Sequence, residues 1–258
     1  MGVVNVTPDS FSDGGMFSGP PDAIAYGRRL VDEGADILDV GGESTRPGAA
    51  PVSLEEERLR VLPVITGLAG CGVPVAIDTR KPELMREAIA AGASMINDIG
   101  ALGANGAIEA VSGSNAAVCL MHMQGEPQTM QGSPAYGNVL REVREFLRSR
   151  VETAQRAGIS RDRIAVDPGF GFGKTLEHNL ALLRGLGEFV DLGAAVLVGL
   201  SRKTMLGRIT GRGVGERVYA SVAAALVAVR NGAQIVRVHD VAATRDALEV
   251  WQAVINRN

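Results

Sequence analysis

The sequence predicts a single α/β domain, residues 1–258, of the (β/α)8 or TIM barrel type, with an eight-stranded parallel sheet. Three observations carry this: short apolar runs alternate with longer amphipathic segments, glycines close the helical stretches ahead of those runs, and polar residues gather where the runs end. The candidate strands are Gly2 to Val6, Ile37 to Val40, Val75 to Ile77, Met95 to Asn97, Ala117 to Met121, Ile164 to Val166, Ala195 to Val198 and Ile235 to Val238. A doubly wound sheet is the rival architecture, but no Ser-, Pro- or charge-rich linker divides the series into two halves.

Helices are expected at Pro21 to Glu33, Pro82 to Ala91, Val139 to Ala157, Glu216 to Arg230 and Ala243 to Ile255. Ser53-Leu-Glu-Glu56 opens another as a capping box, in which the serine and the third following glutamate satisfy each other's free backbone N–H groups. Gly34, Gly92, Gly158 and Gly232 stand where a helix must stop and the chain turn into the next strand. The first strand begins almost at Met1, so a segment that would cover the barrel bottom is expected to be missing, and the chain is read as a truncated form.

An internal repeat ties three of these junctions together. Gly34-Ala-Asp-Ile-Leu-Asp39, Gly92-Ala-Ser-Met-Ile-Asn97 and Gly232-Ala-Gln-Ile-Val-Arg237 share one pattern of helix stop, strand and polar residue, which makes Asp39, Asn97 and Arg237 equivalent. Strand side chains alternate with period two, so all three are expected inside the barrel, with Gly41, Ile99 and His239 one layer nearer the mouth. Asp39 is expected to support the site from behind.

Composition narrows the function. With 46% hydrophobic and 21% charged residues the chain has the material for a large core, so disorder is excluded. A net charge of −3 with scattered Lys and Arg gives no footprint for nucleic acid or an anionic membrane, leaving small molecules as the expected partners. No apolar run approaches the roughly 20 residues that span a bilayer, and the opening residues are too short for a signal peptide, so a cytoplasmic protein is expected. Cys71 and Cys119 sit in separate apolar segments and are expected as buried thiols.

Chemistry in such barrels gathers on the loops after the strands. Asn5, Asp78, Asn97, Asp98, His122, Asp167, Arg202, Lys203, Arg237 and His239 each sit at or just past the end of an apolar run. The stretches Thr7 to Gly19 and Gly41 to Val52 are long for strand-to-helix connections, and Asp9, Asp13, Glu43 and Arg46 within them either hold a metal-bound polyphosphate or solvate a turn. Gly169-Phe-Gly-Phe-Gly-Lys-Thr175 imitates a phosphate-binding P-loop, but Pro168 stands where that pattern needs glycine. The glycines either let the backbone approach a flat ligand beside Phe170 or Phe172 or make a tight turn. The histidines, His122, His178 and His239, lack the i, i+4 pairing of a helix-borne zinc site; His178 is expected near a helix start, and His239 with Arg237 and Asp240 in an anion clamp.

Four blocks in order, Asn5-Val-Thr-Pro-Asp-Ser-Phe-Ser-Asp-Gly-Gly15, Gly41-Gly-Glu-Ser-Thr-Arg-Pro-Gly48, Asp167-Pro-Gly-Phe-Gly-Phe-Gly173 and Ser201-Arg-Lys203, resemble the dihydropteroate synthase family over nearly the whole chain. That family joins 6-hydroxymethyl-7,8-dihydropterin pyrophosphate to p-aminobenzoate, giving 7,8-dihydropteroate and pyrophosphate. The resemblance implies that Asp167 accepts from the pterin's amino and ring N–H edge and that Asp78 and Asn97 meet other ring nitrogens. Lys203 donates to ring acceptors, and Met121, Phe172 and Gly199 line a flat slot. It implies Mg²⁺ held through Asn5, with Arg46, Arg237 and His239 on the pyrophosphate, and Asp9, Asp13, Ser44, Thr45 and Pro47 closing over the intermediate and shaping the aminobenzoate pocket. Thr204 follows Lys203 where many members have serine, which keeps a hydroxyl there.

By the same likeness the step is dissociative and needs no strong general base, sulfonamides compete with p-aminobenzoate, and the chain forms a homodimer through its last helices. Two other readings remain at this stage: a methyltetrahydrofolate-dependent methyltransferase working with a corrinoid partner, and a pterin-binding protein without catalysis. The long first loop and Ser201-Arg-Lys203 weigh against the former, and Asn5, Arg46, Arg237 and His239 against the latter.

Overall fold

A computed structural model describes residues 1–7, 19–44 and 48–255. Its eight strands form one parallel series in sequence order: β1 Gly2–Asn5, β2 Leu38–Gly41, β3 Val75–Asp78, β4 Met95–Asp98, β5 Ala117–Met121, β6 Ile164–Asp167, β7 Ala195–Val198 and β8 Ile235–Val236. The last strand meets the first: Val3 N donates to Val238 O at 3.1 Å and Val238 N to Met1 O at 2.9 Å, closing the sheet into a barrel.

Helices follow the strands on the outside. Among the described residues they are α1 Pro20–Asp32, α2 Leu54–Leu68, α3 Pro82–Ala90, α4 Ala107–Ser112, α5 Val139–Arg156, α6 Leu176–Arg184, α7 Gly187–Val190, α8 Thr204–Thr210, α9 Val218–Arg230 and α10 Val241–Ile255. Each expected helix is present to within a few residues of its expected ends. The box expected at α2 is half made: Ser53 Oγ accepts from Glu56 N at 3.1 Å, but the Glu56 carboxylate turns to Arg60, one helical turn on. The full reciprocal cap stands on α6, where Thr175 and His178 satisfy each other's backbone N–H groups at 3.2 and 3.3 Å.

The period-two alternation sorts the strand residues into two apolar sets. Val4, Leu38, Val40, Ile77, Ile96, Leu120, Val166 and Val196 face the helices in the main core, whereas Met1, Ala76, Met95, Cys119, Ala165 and Leu197 form a separate cluster inside the barrel. Both cysteines are free thiols, Cys119 buried and Cys71 half-buried. Above that inner apolar layer the interior turns polar, and the register sets Asn5, Gly41, Asp78 and Asn97 side by side, with Met121 beside Asp167.

Candidate active site

The residues made equivalent by the repeat meet in the barrel interior. Asp39 is fully buried, and its Oδ2 accepts from Arg237 Nε at 2.5 Å and from Asn97 Nδ2 at 3.1 Å. Arg237 Nη2 donates to Asp78 Oδ2 at 3.0 Å, so one guanidinium joins two carboxylates across the mouth. Burial pushes Asp78 well above the ordinary aspartate range; Arg237 opposes that shift, and the charge of Asp39 adds to it.

The opposite wall is the turn after β6. Asp167 Oδ1 accepts from Gly169 N at 2.7 Å, and burial raises its carboxyl while Lys203 and Lys174 pull it back. Of the two phenylalanines, Phe170 is buried in the helix-side core, while Phe172 joins Ile99, Met121 and Met130 in a small apolar cluster at the mouth. Lys203 Nζ lies 4.2 Å from the centroid of the Phe172 ring, a cation–π contact. Gly199 leaves the space beside Arg237 open, since a Cβ there would lie 4.0 Å from that side chain. Together these make an apolar slot with an acidic end at Asp167, a cationic side at Lys203 and an amide at Asn97.

This turn is held from beneath by Lys174. Its buried Nζ contacts Gly169 O at 2.9 Å, Phe172 O at 3.0 Å, His122 O at 3.3 Å and His122 Nδ1 at 3.0 Å. The chain passes so close at Gly169, φ +72°, that a Cβ would fall 1.9 Å from His122 O, so only glycine serves. Burial lowers Lys174 to about 7, and burial with the neighbouring Lys174 charge lowers His122 to about 3.

At the end of β8, Ser201 Oγ accepts from His239 N at 3.2 Å and lies 3.0 Å from His239 Nδ1. In the tautomer in which the Ser201 hydroxyl donates to Nδ1, the ring proton is on Nε2 and faces away from Ser201. Burial and Arg237 hold the ring neutral, lowering it to about 3.

Three expectations need correction. Asp98 is not at the mouth: one residue beyond Asn97, it falls on the opposite face of β4 and ties its own loop by accepting from Gly100 N and Leu102 N, both at 2.7 Å. His122 is spent on Lys174. Asp240 is no part of a clamp with His239, because it forms a fork with Arg202 at 2.6 and 3.2 Å. Of the other expected residues, Ser44 is half-buried just beyond β2, Thr204 is exposed at the first position of α8, and Asp9, Asp13, Thr45, Arg46 and Pro47 lie outside the described residues. Sequence reasoning gave no role to Lys174, nor to Lys81, which joins Glu43 at 2.5 Å to fully buried Glu57 beside a small cleft reaching Asp78.

Among the described residues no cluster of three or more His, Cys, Asp or Glu side chains suits a metal ion. Asn5 ends β1 beside Gly41, where its amide oxygen, a hard neutral donor, lies 3.9 Å from the position of a Gly41 Cβ. One such oxygen is a fitting protein share for Mg²⁺, which keeps waters and takes its remaining ligands from substrate phosphates.

Comparison with known proteins bears on this mouth. The pterin binding enzyme family matches residues 1–239. The chain is 52% identical to the dihydropteroate synthase of Neisseria meningitidis serogroup B over 98% of its length and 92% of that protein's. Among solved structures, the Yersinia pestis dihydropteroate synthase in a sulfonamide drug complex superposes with a TM-score of 0.96 at 45% identity, covering 100% of this chain and 94% of that one. The Xanthomonas albilineans dihydropteroate synthase in complex with 7,8-dihydropteroate gives 0.91 at 50% identity, with the same coverages.

Proposed function

The chain belongs to the pterin-binding enzymes, in the dihydropteroate synthase family, and from that premise we propose how the barrel mouth joins 6-hydroxymethyl-7,8-dihydropterin pyrophosphate to p-aminobenzoate. The observation that carries the assignment of roles is the convergence of Asp167, Lys203, Asn97 and Arg237 on one slot. Asp167 accepts from the amino and ring N–H edge of the pterin, and Asn97 and Asp78 meet other ring nitrogens. Lys203 donates to the ring acceptors, with Met121, Phe172 and Gly199 shaping the slot. Because Arg237 gives Nε to Asp39 and Nη2 to Asp78, its Nη1 is left for the pyrophosphate, where His239 Nε2–H joins it.

The C–O bond of the pterin methylene breaks, pyrophosphate leaves with the electron pair, and the arylamine nitrogen bonds to the methylene and releases a proton. The chain's part is to position both substrates and to neutralise the charge that grows on the leaving group. Arg46 contributes there as well, and Asp9, Asp13, Ser44, Thr45, Pro47 and Thr204 serve the aminobenzoate side. Mg²⁺ held through Asn5 supplies further neutralisation when bound.

No helix among the described residues is long and apolar enough to cross a membrane. The free thiols support a reducing, cytoplasmic location. Exposed apolar side chains on α9 and α10, Tyr219, Val250, Val254 and Ile255, support a homodimer.

Pyrophosphate release from purified protein given Mg²⁺, the pterin pyrophosphate and p-aminobenzoate tests the assignment; absence of release defeats it. A sulfonamide is expected to raise the apparent KM for p-aminobenzoate without changing kcat. The pH profile provides a second test. Burial lowers Lys203 to about 8, so its positive charge is present below that pH and lost above it. The kcat/KM for the pterin substrate therefore falls on an alkaline limb centred near 8, and Lys203→Arg, which stays charged, abolishes the limb whatever it does to the plateau. A wild-type profile flat to pH 9.5 contradicts Lys203's role.

A further inference from the structure

Asp39 is fully buried and has no place in the roles above, yet it grips two residues that do. A single oxygen, Oδ2, accepts from Asn97 Nδ2 at 3.1 Å and Arg237 Nε at 2.5 Å, while Oδ1 has no partner. The two ends of an amide are opposite in hydrogen bonding, so whichever end a neighbour captures decides what the other offers. A carboxylate facing Asn97 accepts only from Nδ2, and this turns Asn97 Oδ1 away from Asp39. The same carboxylate takes Nε of Arg237, and with Asp78 on Nη2 the guanidinium has one free nitrogen.

We propose that Asp39 is a positioning residue that fixes the donor and acceptor order of the slot: it points the Asn97 amide oxygen at the pterin and aims Arg237 Nη1 at the phosphates. This rests on the reading that Asn97 and Arg237 contact the pterin pyrophosphate. The internal repeat is then functional, since three equivalent strand positions form one orienting unit.

Asp39→Leu keeps the approximate shape and removes the acceptor, so the Asn97 amide is free to flip and Arg237 Nε loses its partner. The expected result is a KM for the pterin pyrophosphate raised about tenfold or more, with the KM for p-aminobenzoate unchanged. Asp39→Asn, whose amide oxygen can stand in for Oδ2 with its NH₂ at the unpartnered Oδ1, keeps both bonds and recovers most of the loss. Asn97→Ala raises the pterin KM by itself, and in the Asp39→Leu background its effect shrinks, because the amide it removes is already misdirected. Strict multiplicativity of the two effects, or an unchanged pterin KM in folded Asp39→Leu, overturns the proposal. Asp39→Ala repeats the test if Asp39→Leu does not fold; failure of both to fold makes Asp39 a folding residue and overturns it too. Wild-type pyrophosphate release in the same assay stands or falls separately and reports on the underlying reading.

Discussion

Asp167→Asn lowers kcat/KM for the pterin pyrophosphate by roughly a thousandfold and leaves the protein folded. The carboxylate faces an edge made only of donors, and an amide can present its oxygen to one of them at most while its NH₂ opposes the other. Losing one charge-assisted bond and adding one donor–donor contact amounts to about 4 kcal/mol in a buried slot. Stability moves the other way or not at all, since burial already penalises this carboxylate and the variant removes that penalty; Gly169 N, at 2.7 Å, still has an amide oxygen available to it. Steady-state pyrophosphate release together with a thermal melt separates the two effects. A kcat/KM within tenfold of wild type, in a variant that melts normally, removes Asp167 from the pterin edge.

The parts of this site that were legible in the sequence are those governed by periodicity. A glycine stop followed by a four- or five-residue apolar run locates a strand, and the repeat fixes the phase of β2, β4 and β8, so that Asp39, Asn97 and Arg237 could be placed inside the barrel and are found bonded to one another. The same phase, carried one residue further, would have excluded Asp98, which lies on the helix side of β4 and holds a loop. Periodicity could not choose Phe172 over Phe170, and only the family resemblance did: both follow β6, and the turn's left-handed glycines at 169, 171 and 173 decide which ring reaches the slot. The half-made cap at Ser53 has a similar origin, a local competition in which Arg60 takes the carboxylate that the box needed.

Lys174 was illegible for a different reason. Three of its partners are carbonyl oxygens, which every residue carries and no sequence advertises. Lys174→Met is expected to destabilise the protein by roughly 2 kcal/mol at pH 9, by less at pH 7, and to raise the pterin KM about tenfold. Two effects compete. Removing a buried amine relieves the cost of holding it inside, and near neutrality that relief is large, because burial lowers the amine to about 7 and the folded state must either bury a cation or give up a proton that the unfolded chain keeps. Against it stands the loss of a group whose N–H bonds, three at most, are shared among Gly169 O, Phe172 O and the two acceptors of His122, at about 1 kcal/mol for each bond, less whatever contact water or the methionine recovers. The gap between wild type and variant also depends on pH. The folded pKa lies below the unfolded value of 10.5, so the unfolded chain binds more protons between about 7 and 10.5 and wild type gains stability as pH rises through that window, a gain the variant lacks. Urea denaturation at pH 7 and 9 measures both quantities, and comparing the pair cancels the similar contribution of Lys203, present in each. If the unfolding free energies differ by less than 1 kcal/mol at pH 9 and the gap fails to widen between pH 7 and 9, Lys174 does not hold the turn that carries Phe172, and the slot wall owes its position to the glycines alone.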